Sequence, residues 1–86
     1  MASYQVDLMR SAEKDLRRID RPRVASVYQA MERLAEDPRP HGSKKLVGAD
    51  RTYRIRVGDY RIVYEIEDEA LVVLVIRVAH RREAYR

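Results

Sequence analysis

The chain has 86 residues, of which 45% are apolar and 37% charged, with a formal net charge of +4. That is material for one domain with a single thin core, because a chain this short buries only about 60–65% of its unfolded surface. It holds no cysteine, which excludes disulfides, thiolate metal sites and cysteine nucleophiles, and only three glycines, which leave no room for a glycine-rich phosphate loop. No apolar run approaches the roughly 18 residues that span a membrane. The N-terminal stretch shows no charged segment followed by an apolar one, so no signal peptide is expected. These features fit a cytoplasmic protein without a membrane partner.

Ser3–Leu8 alternates Tyr4, Val6 and Leu8 with polar residues and reads as a half-buried strand. Ser11 is placed to cap a short helix that presents Ala12, Leu16 and Ile19 on one face. Asp20-Arg21-Pro22 ends it and starts a second helix, since proline suits a first helical turn. There Val24, Val27, Tyr28, Met31, Leu34 and Ala35 form an apolar stripe, and Asp37-Pro38 terminates it. Pro38–Ser43 is a loop leading to Lys44 and Lys45. Thr52–Val57 and Tyr60–Ile66 alternate again around Gly58-Asp59, a two-residue turn with glycine where a type II′ turn needs it. Leu71–Val78 is apolar on both faces, as a central strand would be. Ala79–Arg86 reads as a polar tail or a short C-terminal helix.

The predicted fold is therefore α+β: a small antiparallel sheet in the order β-α-α-β-β-β, with a helix hairpin packed on one face. The first strand is expected beside Leu71–Val78, which needs neighbours on both edges. One domain spans residues 1–86.

Charge is distributed unevenly. Residues 1–38 carry seven basic and seven acidic side chains, and 39–86 carry eleven and seven, so the whole excess lies in the second half. A turn at 58–59 places Arg56 opposite Arg61 and Arg54 opposite Val63, which puts three arginines on the face the helices leave open. Like charges directly opposite are destabilising, whereas planar guanidinium forks are preferred ligands for phosphate. Arg77, His80, Arg81, Arg82 and Tyr85 emerge at one end of that sheet. His80 is a candidate for moving a proton, and Tyr85 is able to stack on a base. His41 and His80 have no evident third ligand, so no metal site is expected.

The strings Ala12–Ile19, Asp37–Leu46, Y-R-I-R-V-G-D-Y-R-I-V-Y at 53–64 and H-R-R-E-A-Y at 80–85 resemble the RelE/ParE superfamily of toxins from prokaryotic type II toxin–antitoxin modules. The H-R-x-x-x-Y ending is similar to the RelE branch. That resemblance implies a metal-independent, cofactor-free endoribonuclease (an mRNA interferase) that enters the ribosomal A site, cuts mRNA and so inhibits translation. Attack would come from the ribose 2′-hydroxyl on its own 3′ phosphate. By the same resemblance, Arg61 holds the phosphate, Arg81 sits at the leaving group and Tyr85 stacks on or orients the nucleotide. Arg54 and Arg56 stand where the best-known RelE toxin has lysine. Arginine does not give up its proton, so these two are assigned to binding phosphate and activating by charge. The general base is then Tyr85, His80 or a ribosomal group. Lys44, Lys45, Arg77 and Arg82 are the expected RNA contacts. A cognate antitoxin is the implied partner, in a heterotetramer or larger complex. The alternatives from other classes are a ParE-like, non-enzymatic gyrase inhibitor and a degenerate toxin that only binds its antitoxin.

Overall fold

Four strands fall where the sequence places them, and a fifth appears where the sequence suggests only a loop. The computed structural model describes residues 3–81. Its elements are β1 (Gln5–Leu8), α1 (Arg10–Arg17), α2 (Arg21–Glu36), β2 (Lys44–Lys45), β3 (Thr52–Val57), β4 (Tyr60–Glu67) and β5 (Val72–His80). The strand order is β1-β5-β4-β3-β2. The pairs from β2 to β5 are antiparallel, and β1 joins β5 in parallel with Gln5 opposite Val72 and Leu8 opposite Val75. The α+β class, the helix hairpin and the place of β1 beside β5 are as the sequence predicts. The one parallel pair makes the sheet mixed, since alternation reports which face a residue takes and not which way its strand runs.

Ala12 and Leu16 of α1 and Val27, Met31 and Leu34 of α2 pack on Ile55, Ile62, Tyr64, Ile66, Val73, Val75 and Val78 of the sheet. Burying each Val, Leu, Ile or Met side chain among them contributes about 1.5–3 kcal/mol. The eight-residue α1 depends on that packing, because helices shorter than ~12 residues are marginal alone. Tyr53, Ile55 and Val57 of β3 and Ile62, Tyr64 and Ile66 of β4 face the helices. Strand alternation then sends Arg54, Arg56, Arg61, Val63 and Glu65 to the open face.

Three local expectations are corrected. Ser11 does not cap α1: the helix starts at Arg10 after Met9, with no side-chain cap. The Met9 N–H still donates to Val75 O at 2.9 Å, so strand runs into helix without a loop to cap. Tyr28 is 45% exposed, because the sheet covers a narrower stripe of α2 than its apolar residues span. Leu71 is a turn residue with φ 55, and β5 runs on to His80, which makes His80 part of the strand and not of a tail. The short helix considered for the C-terminus falls on residues outside the described range, apart from Arg81.

Candidate functional site

The β3–β4 hairpin builds the site. Gly58 has φ 59, while Asp59 stays on the negative side, as a type II′ turn requires. That turn fixes the register: Val57 faces Tyr60, Arg56 faces Arg61, Ile55 faces Ile62 and Arg54 faces Val63. β2 adds Lys44 opposite Arg54 on the same face. Lys45 pairs with Tyr53, so its side chain leaves on the other side of the strand.

Arg81 reaches this hairpin from β5. Its N–H donates to Asp59 O at 2.7 Å. Arg56, Gly58, Asp59, Tyr60, Arg61 and Arg81 then line one cleft of about 70 Å³. A second, wider cleft of about 410 Å³ is lined by His41, Gly42, Lys44, Arg54, Ile55 and Arg56. Arg56 lines both, which makes a continuous basic surface from Lys44 to Arg81. Guanidiniums spaced in this way suit a run of phosphates.

The loop bearing His41 is held in place by a polar chain on the far side of the sheet. Arg39 donates to both carboxylate oxygens of Asp68 at 3.2 and 2.8 Å, and its Nε donates to the Tyr53 hydroxyl at 3.2 Å. The Tyr4 hydroxyl also donates to Asp68 Oδ1, at 2.7 Å. Arg39 and then Tyr4 hold the Asp68 carboxyl down at about 2, from 3.8. The same carboxylate raises the pKa of Arg39 and of Tyr4. Next along, the Tyr64 hydroxyl donates to Pro38 O at 2.8 Å, and burial pushes it up to about 12.

The family model described as ParE toxin of type II toxin-antitoxin system, parDE, matches residues 6–85. The chain belongs to the RelE/ParE toxin superfamily. Toxin RelG of Mycobacterium tuberculosis is 33% identical, over 96% of this chain and 97% of its own length. The solved toxin–antitoxin complex RelBE2 of M. tuberculosis is 31% identical with a TM-score of 0.84, covering 94% of each chain. The isolated E. coli RelE toxin is also 31% identical with a TM-score of 0.81, covering 96% of this chain and 92% of that one.

As a RelE/ParE toxin, the chain brings together some of the residues singled out in its sequence and separates others. Arg54, Arg56, Arg61, Arg81 and Lys44 share the basic surface. His80 pairs across the ladder with Tyr60 and packs edge-on against its ring, centroids 5.2 Å apart. It does not line the cleft between Arg61 and Arg81. Arg77 is bound by Asp15, with Nε to Oδ2 at 2.8 Å. Arg82 and Tyr85 lie outside the described residues. Sequence reasoning missed two members of this surface, His41 and the Asp59 carbonyl. His41 is carried there by a loop whose anchor is Asp68, far along the chain, and no local pattern signals that. No helix among the described residues is long and apolar enough to cross a membrane.

Proposed function

We propose that this RelE/ParE toxin is a ribosome-dependent, metal-independent endoribonuclease that cuts mRNA in the ribosomal A site. The observation that carries the reading is the cleft where Arg56, Arg61 and Arg81 converge on the uncovered face of the sheet. The RelE-named relatives support the same branch.

In this reading the ribose 2′-oxygen attacks the adjacent 3′ phosphorus. The bond from phosphorus to the 5′-oxygen of the next nucleotide breaks. The products are a 2′,3′-cyclic phosphate and a free 5′-hydroxyl, whose oxygen takes up a proton as the 2′-hydroxyl gives one up. Arg61 holds the non-bridging oxygens and stabilises charge developing at phosphorus. Arg81 faces the leaving oxygen across the cleft. Arg54, Arg56 and Lys44 bind flanking phosphates, with Lys45 and Arg82 as further RNA contacts. Tyr85 stacks on or orients the nucleotide, and the base that takes the 2′ proton is Tyr85 or a ribosomal group. His80, packed on the Tyr60 ring, supports the strand that delivers Arg81.

A cognate antitoxin is the proposed partner, in a heterotetramer or larger assembly. Its support is that similar solved chains include the E. coli RelBE toxin–antitoxin complex. The family model described for ParE supports a second reading, a gyrase inhibitor that uses the arginine face to bind protein. Primer extension on an mRNA under cell-free translation separates the two. Cuts within A-site codons that vanish without ribosomes, and in Arg81→Ala, carry the first reading. No cleavage, together with inhibition in a gyrase supercoiling assay, would carry the second.

A further inference from the structure

We infer that Ser11 and Asp15 of α1 are positioning residues for Arg81, acting through a bulge in β5. The β4–β5 ladder runs in step from Glu67–Val72 to Tyr64–Val75 and then slips, so that Val63 faces Arg77 and Ile76 is left without a partner. Side chains alternate along a strand, so one extra residue moves everything after it to the other face. With the slip, Val78 is 3% exposed in the core, and the Arg81 N–H meets Asp59 O. Without it, Arg77 would stand opposite Ile62, in the core position that Val78 now fills. Arg81 would then be set one residue out of step with the β3–β4 turn.

The bulge lies just where β5 loses its parallel neighbour, since β1 stops pairing at Leu8 opposite Val75. Two side chains of α1 take over there. The Ser11 hydroxyl donates to Ile76 O at 2.6 Å. Asp15 Oδ2 accepts from the Val78 N–H at 2.8 Å and from Arg77 Nε at 2.8 Å. Oδ1 accepts from Arg77 Nη2 at 3.3 Å. Ser11 and Asp15 are one helical turn apart and so share a face. None of these bonds serves α1 itself. The Asp15 side chain is 10% exposed, so removing it leaves a shielded Val78 N–H with no acceptor. Three consecutive residues, 76–78, are thus clamped from α1, and Arg81 follows three positions on.

The effect on RNA cleavage rests on the proposed function; the clamp itself does not. Amide hydrogen exchange followed by NMR reads the clamp directly. Asp15→Ala is expected to speed exchange at Val78 and Arg81 by about tenfold, the worth of one shielded hydrogen bond, while Ile55 and Ile62 stay protected. Asp15→Asn keeps an oxygen for the Val78 N–H and is expected to retain most of that protection. Ser11→Ala is expected to raise exchange at Arg81 as well, and it carries the test if Asp15→Ala fails to fold. Unchanged exchange at Arg81 in Asp15→Ala, or in Ser11→Ala if only that variant folds, overturns the proposal. In the cleavage assay, Asp15→Ala should lower turnover and add nothing to Arg81→Ala; additive losses would also overturn it. Should the unmodified protein cut no RNA, the cleavage reading falls and the exchange result still decides the clamp.

Discussion

Arg56 and Arg61 stand directly opposite one another across the β3–β4 ladder, on the sheet face that both helices leave uncovered. Two cations so placed repel, and in the proposed function a phosphate between them offsets that repulsion. Arg61→Ala and Arg81→Ala are each expected to cut mRNA cleavage by about 10²-fold or more, the typical cost of losing a group that meets developing charge. Both residues lie at the surface of the cleft, so the stability should hardly change, within about 0.5 kcal/mol. Growth arrest on expression, with a melt of each purified variant, checks this. Full toxicity in either variant would remove that arginine from the site.

The proposed phosphate binding is expected to leave a mark in salt as well. For single strands, log affinity falls with log salt by about 0.7 per neutralised phosphate. Arg56 lines both clefts, so Arg56→Ala is expected to flatten that slope by about 0.7 if it meets one phosphate. Arg39→Ala should leave the slope alone, because the Arg39 charge is taken up by Asp68. Fluorescence anisotropy on a short single-stranded RNA across a salt series reads both variants.

The Arg39–Asp68 pair makes stability depend on acid. Asp68 ionises at about 2 in the fold and near 3.8 when unfolded. Its contribution is therefore fully present above the unfolded value and is lost as pH falls from 3.8 towards about 2. Asp68→Asn removes the charge at every pH. The gap in thermal midpoint between the two proteins should be widest near neutrality and close over that acid window. A gap that stays constant down to the acid end would show that Asp68 does not act through its charge.

Tyr64 anchors the same loop from inside the core. Tyr64→Phe keeps the ring and deletes the bond to Pro38 O, which should cost about 1 kcal/mol. Tyr64→Ala empties the buried ring site and should cost about 3–5 kcal/mol. Urea unfolding distinguishes the two, and an equal loss in both would mean the hydroxyl carries nearly all of the ring's worth.

What was legible in the sequence was what is local. Gly58-Asp59 sets the turn, the turn sets the pairing, and the pairing puts Arg54, Arg56 and Arg61 on one face; every step spans a few residues. Ala12, Leu16, Val27, Met31 and Leu34 were equally readable, because helical spacing alone assigns them to the core. The phase of β5 was not, because the slip at Ile76 is stabilised by Ser11 and Asp15 from the opposite end of the chain. Without that slip, neither the pairing of His80 with Tyr60 nor the engagement of Arg77 by Asp15 follows from alternation. The two-residue strand β2 carries no periodicity to detect, so the split between Lys44 and Lys45 emerges only once β3 is beside it.

The interior position of β5 also has a consequence in time. This strand lies between β1 and β4, yet follows both of them, and every other element of the described residues, in chain order. Contacts of such long sequence separation close late in folding. A growing chain therefore has β1, both helices and the β3–β4 hairpin available before the strand that unites them exists. The Arg81 end of the basic surface cannot meet Asp59 until that strand has emerged. The ribosome synthesising this protein is thus working beside a chain whose arginine cleft is still open at one side, and the cleft is completed only after nearly all of the described chain has been made.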